Sequence, residues 1–106
     1  MIVADTPPLK IVQGTALNDQ QKKDLLHRLA RVEGQLRGVQ KLIAKAAVPA
    51  DCEAVAQQMS AARKALDRSF VTFLTSAVVT HAEKAETTEE AIASTRRLAS
   101  LLEKFA

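Results

Sequence analysis

The sequence predicts an all-α fold: a long antiparallel helical hairpin followed by a shorter C-terminal helix. Composition is the first reason. Gly and Pro each occur three times in 106 residues, Trp and Tyr are absent, and 47% of residues are hydrophobic, with Ala and Leu dominant. That is a composition of packed helices and not of a sandwich or doubly wound sheet. Apolar residues also recur in steps of three and four over long stretches, and a capping residue stands ahead of each stretch. A chain this short holds one core and at most one domain.

Residues 1–17 contain Pro7, Pro8 and Gly14 without an apolar period, and read as a mobile N-terminal arm ahead of a helical domain over 18–106. Asn18 and Gln21 stand in the relation of a capping box, which starts a helix over Asp19 to Lys45. Leu25, Leu29, Val32, Leu36, Val39 and Ile43 form its apolar seam. Gly34 lies off that seam, where it either permits close backbone approach or does nothing. Pro49 ends the connection, and Asp51 is placed to cap a second helix running to His81 or Lys84. Cys52, Val55, Met59, Ala62, Leu66, Ser69 and Phe73 form its stripe, and Phe70, Leu74, Ala77 and His81 a neighbouring one. The short turn makes the helices antiparallel, and a lone hairpin cannot bury so much apolar surface, so oligomerisation is expected. Thr87 and Glu90 form a second capping box for a third helix, with Ala91, Ile92, Thr95, Leu98, Leu102 and Phe105 as its face.

Charge is concentrated. Between Asp19 and Lys45 there are seven bases and three acids, whereas the second helix is balanced and the stretch after His81 slightly acidic. A basic segment of this kind suits a polyanion, the plain alternative being a solvated helix face. Arg28, Arg31 and Lys45 flank the first seam, and Arg63, Lys64 and Arg68 on the second helix extend the basic surface. Without interleaved aromatics or a short recognition helix, duplex DNA read through phosphate contact and shape is the expected partner. The chain offers no phosphate loop, no metalloprotease His pair and no nucleophile with its base, so an enzyme is not expected. The absence of a long apolar run and of a signal-peptide pattern gives the expectation of a soluble, cytoplasmic protein without a membrane partner.

Two residues carry candidate chemistry. Cys52, the single cysteine, falls in the first turn of the second helix, where backbone N–H groups and the dipole favour a thiolate. It reads equally as a small core residue. His81 is either an imidazole compensating the helix C-terminus or a ligand. The two lie 29 residues apart, about 40 Å along one helix, so they meet only between chains unless the helix breaks. His27 reads as a surface residue without a role.

The segment Leu26 to Gly38 (LHRLARVEGQLRG), then Asp51-Cys52, Gln57 to Ala61 (QQMSA) and Ala65 to Arg68 (ALDR), resembles the CsoR/RcnR family of metal- and thiol-responsive repressors over residues 19–105. The resemblance implies a dimer forming a four-helix bundle, a dimer of dimers, and operator binding without a helix-turn-helix. It implies DNA contact for Arg28 and Arg68, with Arg31, Arg63 and Lys64 as neighbours. It places the effector site between protomers, at Cys52 of one and His81 of the other. The family's middle histidine falls on Ala77, and its outer glutamate near Ser94. Those departures leave two kinds of inducer open: a transition metal ion (Zn, Ni, Co or Cu), with no cofactor certain, or covalent modification of Cys52 by an electrophile, an aldehyde or reactive sulfur. The rival reading is a helical oligomerisation or adaptor protein without a DNA partner, its basic helix merely solvated.

Overall fold

The computed structural model describes residue 11 and residues 16–105; the arm expected over residues 1–17 falls almost wholly outside them. Three helices follow in order, α1 (Asp19–Lys45), α2 (Asp51–Lys84) and α3 (Thr88–Phe105). The described residues include no strand.

Helix α1 begins as its sequence dictates. Asn18 is extended, its side-chain oxygen accepts from the Gln21 N–H at 2.8 Å, and the Gln21 carbonyl oxygen accepts from the Asn18 N–H at 2.8 Å. These bonds satisfy two donors that a bare helix end leaves open. The start of α2 differs from expectation. Ala50 is already helical and contributes no side-chain cap, so Asp51 is the first helical residue and not the cap. Its N–H donates to Val48 O at 2.9 Å, and those of Cys52 and Glu53 donate to Pro49 O and Ala50 O at 3.1 and 3.3 Å. The chain thus winds into α2 through a tight turn. The Asp51 carboxylate is left to turn back, accepting from the N–H groups of Ala47 at 2.9 Å and Val48 at 3.2 Å.

At the last connection Thr87 Oγ1 accepts from Glu90 N–H at 3.1 Å, as expected. The reciprocal bond is displaced by one residue, because Glu90 accepts from Glu86 N–H and not from Thr87 N–H.

Helix α1 packs along α2, and α3 packs on α2 alone. The seam of α1 divides into two rows of heptad spacing. Leu25, Val32 and Val39 are buried against α2, whereas Leu29, Leu36 and Ile43 stay 40%, 48% and 54% exposed. Helix α2 divides likewise, with Ala62 and Ser69 buried and Met59, Leu66 and Phe73 exposed. Ser69 is accommodated because its hydroxyl donates to Ala65 O at 3.0 Å. Leu74 and Ala77 of α2 and Leu98 of α3 complete the buried core.

Candidate nucleic-acid interface and effector residues

The far end of the hairpin is fastened by Gln21. Besides capping α1, its carbonyl oxygen accepts from the Thr80 hydroxyl at 2.6 Å, and its amide nitrogen donates to Ser76 O at 3.3 Å. Beside this clasp, α1 and α2 enclose a groove of about 310 Å³ lined by Gln21, Asp24, His27, Arg28, Arg31, Thr72 and Ser76. Arg28 also opens onto an adjoining groove of about 400 Å³, with Asp67, Arg68, Val71 and Thr72. Arg28, Arg31 and Arg68 therefore gather on one side of the hairpin, although 40 residues of sequence separate Arg28 from Arg68.

Lys64 precedes Arg68 by one helical turn and shares its face. Arg63 does not. Five residues turn it about 140° around α2 from Arg68, to the side that carries exposed Met59 and Leu66. Guanidinium groups in a groove, with exposed Lys64 beside them, can hold successive anionic groups of a polymer through charge-assisted hydrogen bonds. Sequence reasoning passed over His27, Thr72 and Ser76 as groove residues. The available signal was the spacing Lys23, His27, Arg31, which sets three cationic or ionisable groups in a row along α1.

Cys52 is exposed, with a free thiol in the first turn of α2. The first-turn N–H groups expected to be open around it are instead bonded to Val48, Pro49 and Ala50 carbonyls, because the turn continues into the helix. His81 is half-buried near the other end of α2. Its carbonyl accepts from Ala85 N–H at 3.0 Å, and its Nδ1 is buried with no hydrogen-bond partner among the described residues. Helix α2 is unbroken between them, so one protomer keeps Cys52 and His81 about 40 Å apart. No group of three His, Cys, Asp or Glu side chains that could hold a metal ion occurs among the described residues. Ala77, one turn before His81, presents a methyl group that is 3% exposed.

No described helix is long and apolar enough to cross a membrane. Comparison with curated proteins gives no match, and neither does comparison with solved structures. The profile of one family, described as metal-sensitive transcriptional repressor, matches residues 21–104 and so takes in nearly all of the three helices. The chain therefore belongs to the metal-sensitive transcriptional repressors, the CsoR/RcnR family, and is a non-enzymatic, DNA-binding repressor of transcription.

Proposed function

We propose that this repressor binds operator DNA through Arg28, Arg31 and Arg68, with Lys64 beside them and Arg63 at the margin, and leaves it when an effector engages Cys52. The observation that carries the DNA half is the convergence of Arg28 and Arg68 on one groove from two helices. A solvated basic helix requires no such convergence. The uncovered rows Leu29, Leu36 and Ile43 on α1 and Met59, Leu66 and Phe73 on α2 support association of hairpins into a four-helix dimer, and of dimers into a tetramer. Such assembly multiplies the basic grooves offered to one duplex.

At the effector site, a metal ion would draw on Cys52 of one protomer and His81 of its partner. That pair supplies two donors where a trigonal or tetrahedral site takes three or four, because Ala77 brings none. Covalent chemistry needs only the exposed thiol. With an aldehyde, the thiolate attacks the carbonyl carbon, and the oxygen takes a proton from water to give a thiohemiacetal. With a polysulfide, the thiolate takes over a terminal sulfur, and the remaining anion leaves one sulfur shorter. Either adduct derepresses only if it favours the arrangement that does not bind DNA.

The test is intact mass together with DNA-binding anisotropy on reduced protein, before and after separate exposure to divalent metals, Cu(I), formaldehyde and an inorganic polysulfide. A mass gain on Cys52 with loss of DNA binding establishes the thiol switch. Release by a metal without an adduct, abolished in both Cys52→Ala and His81→Ala, establishes the metal version. A Cys52→Ala protein that still releases DNA refutes both.

A further inference from the structure

The groove assigned to DNA holds a side chain that the arginines do not account for. His27 lines it just before Arg28 and one turn before Arg31 on α1, and shares it with Thr72 and Ser76 of α2. We infer that His27 is a further DNA-contact residue, a phosphate ligand in its imidazolium form, so that affinity for duplex DNA rises as pH falls. The inference rests on the assignment of this groove to DNA, and deepens it.

Three observations support the placement. His27 is exposed and stands one helical turn after Lys23 and one before Arg31, in a single row along α1. The charged groups around it are mostly cations, with one carboxylate in each of the two grooves. On α1 these are Lys23, Arg28 and Arg31, with Asp24 in the same groove accepting from Gln20 Nε2 at 2.9 Å. On α2 the groove is lined by the uncharged Thr72 and Ser76, with Asp67 and Arg68 in the adjoining groove. Helix α3 packs on α2 alone and brings no charge to this side. Arg28 and Arg31 already outnumber the single carboxylate Asp24 in this groove, so an added imidazolium widens an excess of positive charge that a phosphate lying along the groove offsets.

Imidazole is the side chain that changes charge between about pH 5 and 8. Anion binding favours its protonated form, and by reciprocity protonation favours anion binding. Lowering the pH through that range adds a cation to the groove and tightens the complex. The other histidine, His81, has its Nδ1 buried and lines neither groove.

Phosphate contact is independent of base sequence, so a labelled mixed-sequence duplex serves as the probe. With the full-length protein, affinity is expected to rise about tenfold from about pH 8 to about pH 6. In His27→Gln that rise should shrink to under about twofold, and the salt slope at the lower pH should fall by about one for each phosphate no longer held. His27→Arg, a permanent cation, should bind at the higher pH as tightly as the parent does at the lower. The inference is overturned if His27→Gln keeps the parent's pH dependence, or if the parent shows none. Loss of affinity in Arg28→Ala alongside an unaffected His27→Gln removes the inference and leaves the groove assignment standing. Unaltered binding in both Arg28→Ala and Arg68→Ala removes the assignment itself.

Discussion

Asp51 begins α2 but serves the connection before it. Two backbone N–H groups, those of Ala47 and then Val48, stabilise its charged form and hold its carboxyl below its ordinary value of 3.8. A lowered folded-state value means that the contribution to stability is complete above the ordinary carboxylate range and fades as pH falls through the lowered value. Urea melts of the parent and Asp51→Asn should therefore differ near neutral pH and converge as pH falls through the lowered value; a gap unchanged by acid would show that the carboxylate's charge has no part. That the Asp51 carboxylate would accept from backbone N–H groups was legible in the sequence, although it was expected to cap α2. Its direction was not, because it depends on Ala50 already being helical, which no side chain announces. Cys52 and His81 were likewise legible as types at the two ends of one helix. The proposed pairing of the two requires a second chain, which one sequence does not position.

Elements were the most legible level, because the α1 capping box, the Thr87 half of the second one and both seams are local patterns. The clasp between α1 and α2 escaped, since Gln21 was explained by its cap and nothing in the sequence pairs it with Thr80, 59 residues away. Gln21→Ala should cost about 1–3 kcal/mol, because the 2%-exposed Thr80 hydroxyl loses its acceptor along with the cap. Urea unfolding measures this, and a loss no larger than that of a simple cap variant such as Asn18→Ala would show the clasp to be idle. Gly34 behaves in the opposite sense. A Cβ built there meets nothing within 4 Å, so the close approach left open by the sequence is not used within the protomer. Gly34→Ala should raise stability by about 1 kcal/mol through helix propensity alone. Should thermal stability rise while DNA affinity falls, a partner backbone lies against Gly34 in the complex.

At the scale of the whole molecule, the split seams decide what the protomer lacks. A row buried inside the hairpin and a row left open, each with its members seven residues apart, suit helices that face two neighbours at once. The seam was visible as spacing, but its division was not, because spacing does not say which row the intrachain partner takes. Leu36→Glu tests the division directly. Leu36 is 48% exposed in the protomer, so a carboxylate there meets water and leaves the hairpin helical. In the proposed four-helix dimer the same carboxylate is buried without a partner, at a cost of several kcal/mol per copy. Sedimentation should then show a species near the 11.5 kDa of a single chain, with an unchanged helical circular dichroism spectrum. Val32→Glu, on the 5%-exposed row, should instead unfold the protomer. DNA affinity of Leu36→Glu should drop more than tenfold at fixed salt although every groove residue is retained, because a lone hairpin offers one set of basic grooves in place of several. A Leu36→Glu protein that stays oligomeric would place the interface elsewhere. One that is monomeric yet binds DNA as tightly as the parent would show that a single hairpin suffices for the repressor's grip.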